Sequence, residues 1–110
     1  MQNIFRRDRK AGLVSYSVFI NVPHWGFNPI PAIPIRSVML AKLERQVNNL
    51  TVLPEARDSL VVYGTISANS PLDAISLFDE TLLQAMVTTG QAEEFDVAMR
   101  TLTVSPAPRE

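Results

Sequence analysis

His24 is the residue in this sequence best suited to chemistry, because it is the only histidine and the chain has no cysteine. An imidazole can serve as a general base or a metal ligand, but the first role needs a partner group and the second needs further ligands. The nearest carboxylates along the chain, Asp8 and Glu44, are more than ten positions away. We therefore predict no catalytic residue, no metal and no cofactor, and we expect His24 to cap a turn, to pack on Trp25 or to form a pH-sensitive contact.

The acidic residues Glu93, Glu94 and Asp96 form the other local cluster of potential ligands. A cation site would need rigid oxygen ligands that converge from loops, so we favour a solvated loop between a helix and a strand. The four glycines stand alone, and the sequence therefore contains no glycine-rich phosphate loop. These observations predict that the protein is not an enzyme.

Rare and apolar residues concentrate in residues 23–36, PHWGFNPIPAIPIR, which we call the Pro-rich stretch. Its prolines favour an extended, polyproline-like path, and the apolar residues between them need cover. That cover is either the chain's own surface or a neighbouring molecule, and both alternatives predict that Trp25 is shielded from water. The predicted interaction residues of the stretch are His24, Trp25, Phe27, Ile30 and Ile33.

Alternating apolar residues predict two long strands, at residues 13–22 and 59–69. A further strand is predicted over residues 95–104, with a bulge near Arg100 where the alternation changes phase. Residues 50–54, LTVLP, suit a short edge strand. One helix is predicted from an N-cap at Ser37 to Asn48 or Asn49, and another from the cap Ser70 to Gly90.

The order of these elements predicts an α+β protein with the ferredoxin-like split β-α-β fold (β-α-β-β-α-β). It would be a two-layer sandwich with an antiparallel sheet, both helices on one face and an extended Pro-rich loop after the first strand. Without the short strand, the alternative is a three-stranded β-α-β-α-β sheet. A single domain is predicted for residues 12–104 and a flexible tail for residues 105–110. Residues 1–11 are expected to form a basic arm that carries Arg6, Arg7, Arg9 and Lys10.

The open face of this sheet, opposite the helices, is predicted to be partly apolar. Phe19 and Tyr63 would lie side by side on its two central strands, with Val61, Ala98 and Leu102 nearby. Such a surface is commonly covered by another subunit or by a loop. The face lacks the basic and aromatic signature of RNA-recognition domains. The basic arm offers only a few positive charges for contacts with phosphates, so we expect no nucleic-acid partner.

Charge divides the chain into two halves, with a net +5 on residues 1–57 and −6 on residues 58–110. This polarity can be neutralised within one monomer or between subunits. No apolar run approaches the roughly 18 residues of a membrane helix, and the basic N-terminus is not followed by a signal-peptide pattern. We therefore expect a cytoplasmic protein without a membrane partner.

These patterns predict a non-enzymatic protein–protein interaction or assembly module. We expect a homo-oligomer that associates through the open sheet face and the Pro-rich stretch, as in a small bacterial or phage accessory or structural protein. The alternative is a small-ligand-binding or regulatory domain, with a pocket between the Pro-rich stretch and the sheet where His24, Trp25, Phe27 and Tyr63 converge. A small enzyme is the third and last hypothesis.

Overall fold

A computed structural model describes residues 13–26, 28–56 and 58–107 of the chain. The predictions for Phe27 and for the basic arm with Arg6, Arg7, Arg9 and Lys10 lie outside these residues. The described strands and helices, in chain order, are β1 (Val14–Pro23), α1 (Ala32–Leu43), β2 (Val47–Glu55), β3 (Ser59–Ala68), α2 (Pro71–Thr88) and β4 (Thr101–Pro106). Short 3-10 turns occupy Glu44–Gln46, Ala92–Glu94 and Val97–Met99.

The strands form one open antiparallel sheet in the order β2-β3-β1-β4. The predicted α+β class, with an antiparallel sheet and two helices, is therefore confirmed. The three-stranded alternative is wrong, because β2 pairs with β3 along most of its length. No helix within the described residues combines the length and apolar character needed to cross a membrane.

One face of the sheet forms the core together with both helices. Along β1 every second side chain is buried, and these residues are Tyr16, Val18, Ile20 and Val22. The helices add three large buried residues each to the same core, namely Ile35, Met39 and Leu43 from α1 and Phe78, Leu82 and Met86 from α2. Full burial of one such side chain contributes about 1.5–3 kcal/mol, so the alternation seen in the sequence fixes which face of β1 is inside.

Helix α1 begins inside the Pro-rich stretch, at Ala32, and not at the predicted cap Ser37. The extended path that we expected for residues 32–36 is therefore wrong. Pro34 lies in the first turn, where a missing N–H costs no intrahelical hydrogen bond. Ile35 N–H donates to the Pro31 carbonyl at 3.1 Å, so the helix is hydrogen-bonded from its first turn.

The end of α1 and the start of β2 also come earlier than the sequence predicts. The helix stops at Leu43, and Glu44 takes a positive φ of 49° just beyond it. Strand β2 then starts at Val47 and contains an irregularity between Asn48 and Thr51, where Asn49 has a φ of 57°. Gly64 of β3 lies against this bulge, since a Cβ atom there would be 3.3 Å from the Asn48 carbonyl oxygen.

Strand β4 begins at Thr101, six residues later than predicted. Phe95 forms only an isolated bridge, and a 3-10 turn separates it from β4. Because Leu102 pairs with Ile20, it lies on the core face, and our placement of Leu102 on the open face is wrong. Ser105 and Pro106, which the sequence assigns to the tail, belong to β4.

Candidate functional site

The open face of the sheet carries two aromatic rings at its centre. Phe19 of β1 pairs with Tyr63 of β3, and their rings stack with centroids 6.1 Å apart and planes at 16°. The predicted side-by-side placement of these two residues is confirmed. Their exposed fractions are 42% and 39%, which is unusual for two neighbouring rings in the middle of a sheet.

Hydroxyl groups surround this aromatic pair. A shallow groove of about 480 Å³ runs over the two rings, and its lining contains no charged residue among those that the structure describes. The residues that line the groove through uncharged polar side chains are Ser17, Asn49, Thr51, Thr65, Thr103 and Ser105. The surface is therefore an apolar centre with an uncharged polar border.

Two aliphatic residues extend the apolar centre toward the β2 edge. Leu53 pairs with Val61, two positions along the strands from the pair of Thr51 and Tyr63. Because alternate residues of a strand lie on the same face, Leu53 and Val61 share the face of Tyr63. Leu53 is half exposed, whereas Val61 is covered by its neighbours. We call this surface the open face, defined by Phe19, Leu53, Val61 and Tyr63 together with the uncharged border residues.

The start of the Pro-rich stretch is attached to the segment before β4 through main-chain hydrogen bonds. Trp25 N–H donates to the Glu94 carbonyl at 2.9 Å, and Asp96 N–H donates to the Pro23 carbonyl at 2.8 Å. His24 N–H donates to the Asp58 carbonyl at 2.7 Å. These bonds fix the position of His24 between two loops.

The His24 side chain is buried, with 1% of its surface exposed. Its ring packs edge-on against Phe95 at 4.9 Å between centroids, a contact that the sequence analysis did not predict. The Nε2 atom lies 3.6 Å from the Glu94 Oε1 atom, which is longer than a hydrogen bond. Neither ring nitrogen has a hydrogen-bond partner among the described residues.

Glu94 lies beside His24 and is partly buried, whereas Glu93 is exposed, as expected for a solvated loop. The Glu94 Oε2 atom accepts a hydrogen bond from Asn28 Nδ2 at 2.7 Å. Its side chain also lies directly on Gly26, where a Cβ atom would be 2.6 Å from the Glu94 Cβ atom and would overlap the carboxyl group. Sequence reasoning missed the contact between His24 and Glu94 because seventy positions separate these two residues, and no local pattern signals it.

The other predicted interaction residues of the Pro-rich stretch differ in exposure. Trp25 is 70% exposed and Ile33 is 82% exposed, whereas Ile30 packs partly against the core. The described residues of the chain therefore do not cover Trp25, contrary to one of the two expectations for the Pro-rich stretch.

The structure does not bring His24 and Tyr63 into one pocket. His24 continues the buried, even-numbered series of β1, whereas Phe19 and Tyr63 lie on the opposite face of the sheet. None of residues 24–26 and 28–31 lines the groove of the open face. The groove over Phe19 and Tyr63 is thus not the predicted pocket between the Pro-rich stretch and the sheet.

Within the described ranges, no group of three or more His, Asp or Glu side chains is placed to hold a metal ion. Comparison with protein families, curated proteins and solved structures found no match to this chain. The candidate sites are therefore defined by their own geometry, as an aromatic sheet face with an uncharged groove and a buried histidine beside a partly buried glutamate.

Proposed function

We propose that this protein is a non-enzymatic assembly module in which two copies associate through their open faces. The observation that carries the proposal is the exposed, stacked Phe19–Tyr63 pair under a groove whose described lining has no charged residue. We further propose the ferredoxin-like arrangement for the fold. The β-α-β-β-α-β element order and the sheet order β2-β3-β1-β4 support it.

The open face suits contact with a copy of itself. In a two-fold symmetric dimer the same patch is used on both subunits, so each group meets a group of the same surface. Hydroxyls both donate and accept hydrogen bonds, and apolar groups pack on apolar groups. Because the described lining of the groove carries no charge, two such grooves meet without like-charge repulsion, and the charged Glu55 lies at the edge of the face, beyond Leu53. A nucleic acid, in contrast, would need basic side chains there.

The size of the sheet also suits a dimer. Four strands spaced by about 4.8 Å, with strands of roughly 25–30 Å, present a flat area on the order of 500–600 Å². Side-chain relief increases the accessible area above that value, toward the roughly 800 Å² per partner of a standard interface. Trp25, exposed in the single chain, is proposed as an additional contact at the rim, whereas Ile33 lies on α1, in the layer on the other side of the sheet.

A second candidate function is the binding of a small uncharged ligand. The groove over Phe19 and Tyr63 has a volume within the usual range for ligand sites, and its aromatic floor with hydroxyls at the border suits a flat, polar-edged ring. This hypothesis places the ligand on the open face and not beside His24. A ligand and a second copy would compete for the same surface.

Thr103→Lys tests the proposed dimer. The substitution places a cation at an exposed position of the open face, beside Phe19, on an edge strand where lysine is well tolerated. We expect the wild-type mass to approach twice 12.2 kDa with rising concentration in light scattering and the variant to remain at 12.2 kDa. Leu72→Lys, at a 71% exposed position on α2, is the matched control and should still dimerise.

The result that would contradict the proposal is a wild-type mass of one chain at every concentration. A dimer that persists in Thr103→Lys would also contradict it, since the contact would then lie elsewhere. Circular dichroism of each variant shows whether it is folded, so that a loss of dimer is distinguished from a loss of structure.

A further inference from the structure

Among the described residues, four buried polar atoms have no hydrogen-bond partner, three of them in the His24–Glu94 pair and the fourth on Gln91, three residues before Glu94. They are His24 Nδ1, His24 Nε2, Glu94 Oε1 and Gln91 Oε1. Buried polar atoms in native proteins are nearly always paired with protein, water or an ion, and each exception needs an explanation. Since no group of the described residues satisfies these atoms, a bound species is a suitable partner.

The distance between His24 Nε2 and Glu94 Oε1 favours a metal ion over a direct contact. At 3.6 Å the two atoms are too far apart for a hydrogen bond. Zinc–nitrogen and zinc–oxygen bonds of about 2.0–2.2 Å would span this distance with an angle of about 120° at the metal, close to tetrahedral. The two ligands would not need to move.

We propose that His24 and Glu94 bind a divalent transition-metal ion of the zinc type, with Gln91 as a third ligand and water in the remaining position. An imidazole and a carboxylate together suit such ions, whereas Mg²⁺ prefers oxygen ligands alone. Gln91 precedes Glu94 by three residues, and Glu94 N–H donates to the Gln91 carbonyl at 3.0 Å. Residues three apart in a 3-10 turn lie on the same side, so the Gln91 side chain starts from the side of the turn that carries Glu94.

The surroundings of Glu94 keep its free oxygen directed at His24. Asn28 Nδ2 binds the other oxygen, Oε2, which is the role that outer-shell partners play for metal-bound carboxylates. Gly26 leaves the space that the carboxyl group occupies. An ion at this site would link the loop that carries Trp25 to the segment before β4, and would thereby fix the exposed Trp25 in position.

Thermal unfolding of the full chain, first treated with a chelator, tests the site. We expect Zn²⁺ to raise the Tm progressively with its concentration, because an ion that binds only the folded state stabilises it, whereas Mg²⁺ should leave the Tm unchanged. Glu94→Gln keeps the size of the side chain but removes the charge, and should weaken Zn²⁺ binding at least about tenfold. Glu93→Gln, which changes an exposed neighbour, is the matched control and should bind as the wild type does.

Co²⁺ provides an independent readout, since its visible absorption reports direct nitrogen and oxygen ligation. We expect the absorption bands in the wild type and in Glu93→Gln, and their loss in Glu94→Gln and His24→Gln. A wild-type protein whose Tm and Co²⁺ spectrum do not respond would overturn the proposal. Equal Zn²⁺ responses in the wild type and in Glu94→Gln would also overturn it, because the ion would then bind elsewhere.

Discussion

Ile33 and Ile35 are neighbouring members of the Pro-rich stretch with opposite environments. Ile33 is 82% exposed, whereas Ile35 is fully buried against the core. The difference follows from the start of α1 at Ala32, because helical periodicity puts Ile35 on the same side as Met39, four residues on, and turns Ile33 outward. The two isoleucines therefore place a core contact and an exposed apolar side chain within one short segment.

Replacement of each isoleucine by alanine should give clearly different stabilities. We expect Ile35→Ala to lower the free energy of unfolding by about 2–5 kcal/mol, because it leaves a cavity in the core. Ile33→Ala, as an exposed change, should stay within about 0.5 kcal/mol of the wild type. Urea denaturation followed by circular dichroism measures both. Equal effects of the two changes would show that residues 32–36 do not form the first turn of a helix.

At the residue scale, contacts that follow from strand alternation could be predicted, and contacts between loops could not. In their strands, Phe19 and Tyr63 stand at the alternate positions that are mostly polar. The sequence therefore places both residues on the same face of the sheet. The contact of His24 with Glu94 depends on the main-chain hydrogen bonds between two loops. Nothing in the local sequence of either loop specifies that pairing.

Arg100 determines how the chain enters β4. Its guanidinium makes two hydrogen bonds of 2.8 Å to the Asp79 carboxylate of α2 and one of 2.7 Å to the Val97 carbonyl. The hydrogen bonds with Asp79 raise the pKa of Arg100 above its ordinary value, against the opposing effect of burial. Because the pKa of Arg100 is raised, the stabilisation that its contact with Asp79 provides is fully present at any pH below the ordinary pKa of arginine. This stabilisation is lost only at strongly alkaline pH.

Arg100→Lys should weaken this connection without removing its charge. Lysine cannot reproduce the two parallel hydrogen bonds, and the pair is partly solvated, so we expect a loss of about 1 kcal/mol in unfolding free energy. The loss should be the same at every pH between about 6 and 9, since arginine and lysine at position 100 are both cationic over that range. Chemical denaturation at several pH values measures it, with the exposed Arg45→Lys as control. A loss no larger than that of Arg45→Lys would mean that the connection does not stabilise the fold.

At the element scale, the boundaries that could be predicted are those with local chemical signals. Helix α2 has the Ser70 cap, whose Oγ accepts from Asp73 N–H at 3.1 Å, a proline at its first position and Gly90 beyond its end. Helix α1 lacks such signals, and its prolines resemble those of an extended segment. The start of β4 is set by the 3-10 turn and the Arg100–Asp79 pair, which are tertiary features.

At the scale of the whole molecule, the uneven charge of the sequence and the uncharged open face offer two different routes to self-association. The N-terminal half is basic and the C-terminal half acidic, so two chains could attract each other through opposite charges. The open face would instead associate through burial of apolar and hydroxyl groups. The two routes differ in their dependence on salt.

Salt should leave the proposed dimer largely unchanged. Between about 0.05 and 0.5 M NaCl the screening length falls several-fold, which would weaken an association between the two charged halves. Association through the open face involves no charged group in its described lining, so we expect a dissociation constant that is nearly independent of NaCl. Sodium sulfate should lower it, because sulfate strengthens apolar burial. Sedimentation equilibrium over this series measures the constant. A steep weakening with NaCl would assign the contact to the charged halves and contradict a dimer through the open faces, whatever the mass observed at low salt.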